Sequence, residues 1–126
     1  MEKEKYSLEY SFRTSIKLLY NRISTPDGLA EWFADDVNIK GNNFIFIWDG
    51  EEQAAEIIQK KDNSHIKFHW LDDEEDDSFF EFRIEVDDLT EDVALIVTDF
   101  AYDDEKDDNI GLWEAQVDDL HAVLGS

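Results

Sequence analysis

The chain of 126 residues carries 33 acidic and 11 basic side chains, a formal net charge of −22, and no cysteine. This length predicts one domain, residues 1–126, that buries about two thirds of its unfolded surface without disulfides. The charge repels phosphate and anionic lipid, so we expect no nucleic-acid partner and no membrane contact, and the absence of thiols excludes thiolate metal sites and thiol nucleophiles.

The first third of the chain predicts one strand followed by two short helices. Apolar and polar residues alternate over residues 6–12, which is the period of a half-buried strand. Over residues 15–23 the apolar residues change to helical spacing. Thr25 fits the N-cap of a second helix, which is expected to end near Trp32 or Phe33.

The rest of the chain predicts six strands and one closing helix. The strands are expected at residues 37–40, 44–48, 52–60, 64–71, 79–86 and 93–100. Turns and short acidic loops separate them, so five successive antiparallel connections are implied. Apolar residues at offsets of three and four over residues 110–124 predict an amphipathic helix, capped by Asp107, Asp108 or Asn109 and ended by Gly125.

This order of elements predicts an α+β fold in which an antiparallel sheet of about seven strands wraps around a long C-terminal helix. The segment STPDGLAEWFADDV at residues 24–37 resembles the START-like (SRPBCC) domains of the polyketide-cyclase and birch-pollen-allergen superfamily. It is similar to the small bacterial branch related to the activator of the heat-shock-protein-90 ATPase. The ending that starts with GLWE at residues 111–114 also resembles the closing helix of that branch.

The resemblance implies a helix-grip fold with two short helices after the first strand and a cavity that can hold a hydrophobic molecule. It covers nearly the whole chain, but its motifs mark the fold rather than a reaction. The branch shares no catalytic constellation, so no catalytic residue is assigned from it.

Two histidines and one arginine are the basic groups whose positions suggest chemistry. His65 and His69 have the spacing of a metal pair on a helix, but they alternate with apolar residues as on a strand. Four residues of a strand span about 13 Å, too far for both rings to reach one ion at about 2 Å. We therefore predict no metal site and no cofactor. His69 facing a cavity is the candidate for acid–base chemistry, and Arg83 is expected to pair with a neighbouring Glu or, alternatively, to orient a ligand carboxylate.

Two acidic runs, residues 72–77 and 103–108, suggest calcium binding, since hard cations bind clustered carboxylates. Neither run has the glycine-containing ligand spacing of a calcium loop. A solvated hairpin tip is the favoured interpretation of the first run, and capping of the closing helix is the favoured interpretation of the second.

Aromatic residues on the apolar faces of the strands and the helix are the candidates for a ligand pocket, because such pockets are mostly apolar with few polar groups. Gln116 offers a polar handle on the pocket wall, and His121 a weaker one. The alternative is that the same side chains fill the space as ordinary core. The candidate ligand-binding residues are Phe46, Trp48, Phe68, Trp70, Phe82, Trp113, Gln116, Val117 and Leu120.

The favoured function is a non-enzymatic module that binds a small hydrophobic ligand between the closing helix and the sheet, through apolar burial at about 25 cal/mol per Å². A second hypothesis, suggested by the resemblance, is an acidic interaction module that docks a basic protein partner with steeply salt-dependent affinity. A third is a cyclase or hydrolase that uses the same cavity. We expect a monomer, or a homodimer formed through an edge strand or through the corner at Trp32 and Phe33.

The expected location is the cytoplasm. Residues 1–10 are charged and lack the apolar stretch of a secretory signal. No apolar run reaches the roughly 18 residues of a membrane span. The absence of cysteine is compatible with a reducing compartment.

Overall fold

The alternating stretches of the sequence form strands and the helically spaced stretches form helices. The computed structural model describes residues 3–73 and 77–125, and within these ranges it contains seven strands and three helices. In chain order the elements are β1 (Glu4–Phe12), α1 (Ile16–Ser24), α2 (Pro26–Leu29), β2 (Asp36–Lys40), β3 (Asn43–Trp48), β4 (Glu51–Lys61), β5 (His65–Trp70), β6 (Phe80–Val86), β7 (Val93–Ala101) and α3 (Lys106–Leu124).

All strands belong to one antiparallel sheet with the order β1-β7-β6-β5-β4-β3-β2. The strands from β2 to β7 follow one another as a meander, which confirms the five predicted connections. β1 returns to pair with β7, where Tyr6 lies opposite Asp99. β1 and β2 are therefore the two edges, and α1 and α2 carry the chain from one edge to the other. The predicted α+β helix-grip fold is confirmed.

Two hydroxyl side chains fix the starts of the short helices, as capping chemistry predicts. The Ser15 side chain accepts a hydrogen bond from Leu18 N, and the Thr25 side chain accepts one from Gly28 N. α2 nevertheless ends at Leu29, three or four residues earlier than expected. Beyond Leu29 the chain continues in turns, and these turns bury both Trp32 and Phe33.

The closing helix α3 begins at Lys106, four residues before the predicted start. Its N-cap is Glu105, which makes no side-chain capping bond, so the expected cap at Asp107, Asp108 or Asn109 is wrong. The two aspartates instead lie in the first turn, where the positive end of the helix dipole favours acidic groups. Gly125 ends the helix in the left-handed conformation, with φ of 71°, as predicted.

Aromatic side chains fill the middle of the space between the sheet and α3. Four phenylalanines of the sheet are fully buried there, and α3 adds Trp113, Val117 and Leu120. Phe33 lies at the centre, with its ring 5.1 Å from that of Phe46 and stacked 5.5 Å from that of Trp113. The four buried phenylalanines are Phe46, Phe68, Phe80 and Phe82. Among the described residues, the centre of this space is therefore filled by aromatic rings.

The opposite face of the sheet has no helix over it among the described residues and is covered by its own long side chains. Arg83 Nε donates to Glu81 at 3.1 Å, so the predicted pairing with a neighbouring Glu is confirmed. Lys67 Nζ lies 3.8 Å from the same carboxylate and 4.2 Å from the centre of the Phe79 ring. His69 alternates with Phe68 and Trp70 on β5, so it belongs to this outer face.

Candidate functional site

An aromatic cleft opens beside α3 at one end of the buried core. It has a volume of about 170 Å³. β3 and β5 each end in a tryptophan there, α3 adds a third, and β7 adds one carboxylate. We call it the tryptophan cleft, and its lining residues are Phe33, Trp48, Trp70, Asp99, Asn109, Leu112, Trp113 and Gln116.

A second cleft of about 470 Å³ lies next to the first, along the segment that joins α2 to β2. We call it the loop cleft. It is more polar than the tryptophan cleft, because three carboxylates border it. Its lining residues are Ala30, Glu31, Trp32, Phe33, Ala34, Asp35, Trp48, Gln116 and Asp119.

The wall between the two clefts is held by one carbonyl group. Phe33 O accepts a hydrogen bond from Trp48 Nε1 at 2.8 Å and another from Gln116 Nε2 at 2.9 Å. These bonds connect the α2–β2 segment to both the sheet and α3. The predicted polar handle, Gln116, therefore does lie on the cleft wall, and part of its amide already serves to position that wall.

Asp99 is the polar group that the sequence reasoning missed. Trp113 Nε1 donates to Asp99 Oδ2 at 3.0 Å, Phe100 N donates to Oδ1 at 2.8 Å, and the Tyr6 hydroxyl lies 3.5 Å from Oδ2. A signal for it exists in the sequence: positions 93, 95, 97, 99 and 101 read Val, Leu, Val, Asp and Ala, one charge on an otherwise apolar strand face.

Burial raises the pKa of Asp99 above its ordinary value, although the hydrogen bonds from Phe100, Trp113 and Tyr6 and the nearby Lys3 charge oppose the shift. The unfolded chain releases this proton near pH 3.9, before the folded protein does. As pH rises through the raised pKa, the folded state therefore loses stability at this site.

We expect Asp99→Asn to gain stability relative to wild type as pH rises from 3 to 7, because asparagine has no proton to lose. Urea unfolding of both proteins at each pH measures the difference in the free energy of unfolding. The exposed Asp104→Asn change removes one charge elsewhere and serves as the control. A difference between wild type and Asp99→Asn that stays constant with pH would contradict the shifted titration.

The residues proposed from sequence divide into two layers. Trp48, Trp70, Trp113 and Gln116 border the clefts. Beneath them lie five residues with at most 1% exposure, namely Phe46, Phe68, Phe82, Val117 and Leu120.

The remaining candidate groups lie away from the clefts. The His69 ring nitrogen Nδ1 is 2.8 Å from Ser78 O on the outer face. His121 stacks on Phe12, at 4.0 Å between ring centres, and its Nε2 lies 2.8 Å from Ser11 O. Neither ring borders the tryptophan cleft or the loop cleft.

Within residues 3–73 and 77–125, no three His, Asp or Glu side chains are grouped as a metal site would require. Of the acidic run at 72–77, residues 74–76 lie outside the described residues.

The prediction of a dimer contact at the corner formed by Trp32 and Phe33 is wrong, because these residues are each 4% exposed and face the core. No helix in the described part of the chain is long and apolar enough to cross a membrane.

Solved structures of several bacterial proteins resemble this one. A Bacteroides fragilis protein solved by NMR is 42% identical, with 98% of this chain and 92% of that chain covered and a TM-score of 0.69. The Aha1 dimer from Colwellia psychrerythraea is 15% identical, with 96% of each chain covered and a TM-score of 0.78. A Bacillus thuringiensis protein is 10% identical, with 98% and 100% covered and a TM-score of 0.80.

No curated protein matches the chain in sequence. The model of the START-like superfamily domain matches residues 1–126. The sheet order and the position of α3 agree with that match. The chain belongs to the START-like superfamily.

Proposed function

We propose that this START-like domain is a binding module that holds the apolar body of a small hydrophobic ligand in the tryptophan cleft. The observation that carries the proposal is the lining: four aromatic residues, Phe33, Trp48, Trp70 and Trp113, border one open space. Aromatic walls with few polar groups are typical of ligand pockets. An apolar cavity of about 150 Å³ can hold benzene, so a cleft of about 170 Å³ fits one aromatic ring.

The loop cleft extends the proposed site. A ligand longer than one ring would pass the wall formed by Phe33, Trp48 and Gln116 and enter the loop cleft of about 470 Å³. Every further Å² of apolar surface removed from water adds about 25 cal/mol of attraction. In this proposal the fully buried residues Phe46, Phe68, Phe82, Val117 and Leu120 support the walls and do not touch the ligand.

The test is an NMR titration of the ¹⁵N-labelled protein with p-cresol and with indole. The indole N–H signals of Trp48, Trp70 and Trp113 are expected to shift in a saturable way. Signals from the outer face, such as the side-chain Nε–H of Arg83, are expected to stay in place. A titration that moves no signal, or only those of the outer face, would contradict the proposal.

A matched pair of variants locates the binding. Leu112 is 65% exposed and borders the tryptophan cleft, whereas Leu18 is 53% exposed and lies on α1. We expect Leu112→Gln to weaken binding by about fivefold, since the ligand loses roughly 40 Å² of apolar contact. Leu18→Gln removes a similar exposed leucine and is expected to leave the affinity unchanged. Equal effects of the two changes would place the ligand elsewhere.

A second candidate function is docking of a basic protein partner. It is favoured by one observation: the solvent-exposed side of α3 carries five acidic residues, Asp107, Asp108, Glu114, Asp118 and Asp119. Such binding would weaken steeply with salt, whereas binding in the tryptophan cleft would change little.

A cytoplasmic location and a monomeric or homodimeric state remain predictions. The Colwellia relative named above is a dimer.

A further inference from the structure

We infer that Asp99 is the polar anchor of the tryptophan cleft, and that the ligand presents a hydroxyl or an ammonium group to its carboxylate. This inference rests on the proposed function and names the chemical class of its ligand. It goes beyond apolar burial, because it predicts which of several equally hydrophobic molecules the cleft selects.

The carboxylate of Asp99 is held in a fixed orientation but is not saturated. Its two oxygens receive hydrogen bonds from Phe100 N and Trp113 Nε1, and a longer one from the Tyr6 hydroxyl. A carboxylate offers about four acceptor positions. Asp99 also lines the tryptophan cleft, so a donor group of a molecule bound there would take a remaining acceptor position.

The charges around the two clefts favour the same class of ligand. Every charged residue that lines them, within the described residues, is acidic, namely Glu31, Asp35, Asp99 and Asp119. Glu31 is paired with Arg22, with Nε 2.6 Å from its carboxylate, so that cation is already engaged. A ligand carboxylate would meet like charge here and find no cation among the lining residues, whereas an ammonium group also gains from the faces of the tryptophan rings.

The alternative is a purely structural role for Asp99, in which its carboxylate serves only to accept the hydrogen bond from the indole N–H of Trp113. The two roles differ in their consequences for binding. If the carboxylate is only structural, ligands that differ only in their polar group bind with similar affinity. An anchor discriminates between ligands of the same size and shape.

The experiment uses four probes with the same ring and methyl group: 4-methylbenzylamine, p-cresol, p-xylene and 4-methylbenzoate. Dissociation constants are measured with the wild-type protein by NMR at pH 7. We expect 4-methylbenzylammonium and p-cresol to bind at least about tenfold more tightly than p-xylene, as one hydrogen bond to a charged group provides. 4-Methylbenzoate is expected to bind most weakly, and the Trp113 indole N–H signal to respond most to the two donors.

The Asp99→Asn variant tests the anchor directly, with Asp104→Asn as the control for the loss of one charge. Asp99→Asn is expected to reduce the ammonium-to-xylene affinity ratio by about tenfold or more, and Asp104→Asn to leave it unchanged. If wild type binds all four probes with similar affinity, the inference is wrong and the proposed function stands. If none of the four binds, the proposed function is wrong, and the inference falls with it.

Discussion

Replacing Phe33 with alanine is expected to lower the free energy of unfolding by about 3–5 kcal/mol, the range measured when large aromatic side chains are removed from cores. Phe33 is 4% exposed and lies within 6 Å of several other rings, including those of Phe82 and Trp113. Three different elements, β3, β6 and α3, therefore lose a packing partner at once. Urea denaturation followed by tryptophan fluorescence measures the loss.

Phe79→Ala is the matched control for the Phe33 prediction. Phe79 lies on the outer face, partly exposed, where its ring meets that of Phe100 at 5.0 Å. The same chemical change there should cost only about 1 kcal/mol, because less apolar surface returns to water and no enclosed cavity forms. Similar losses for the two variants would mean that Phe33 does not hold the aromatic core together.

The same residue links stability to the proposed binding site. The Phe33 carbonyl accepts hydrogen bonds from Trp48 and Gln116, and the residue lines both clefts. The α2–β2 segment that carries it is thus the point where the buried core becomes the cleft wall. A change in the packing of Phe33 is therefore expected to alter the cleft as well as the fold.

Much of this fold could be predicted from local sequence patterns. The strand alternation, the cap at Thr25 and the left-handed end at Gly125 depend on residues near each other in the chain. The early end of α2 could not be predicted in this way. It depends on Trp32 and Phe33 both finding partners in distant strands, which local helical periodicity does not report.

The candidate site was predicted only in part, because it too depends on contacts between residues that are distant in the chain. Alternation placed Trp48 and Trp70 on the inner face, but it could not tell a pocket wall from a filled core, because that depends on how side-chain volumes sum across the sheet. The structure fills the centre with phenylalanines and leaves Trp48 and Trp70 at the margin. Asp99 was missed because a single acidic residue among 33 acidic ones gives little signal until its position on the strand face is considered.

Replacing Gly28 with alanine is expected to destabilise the protein by about 3 kcal/mol or more. A Cβ at this position would collide with the Asn21 carbonyl oxygen and lie 2.7 Å from Arg22 Cα. Both are backbone atoms of α1 and cannot rotate away, so the two helices must separate, a strain at or above the usual cost of overpacking of about 1–3 kcal/mol. Alanine's better helix propensity returns only about 1 kcal/mol, so the clash decides the sign.

Gly111→Ala provides the opposite result with the same chemical change. Gly111 lies within α3, and a Cβ added there meets no atom within 4 Å. Only the helix propensity then acts, so this variant is expected to gain about 0.5–1 kcal/mol. Thermal and urea unfolding of both variants checks the two signs. A neutral Gly28→Ala protein would mean that α1 and α2 do not pack as closely as described, and the α2–β2 segment that positions Phe33 would then lack its rigid support.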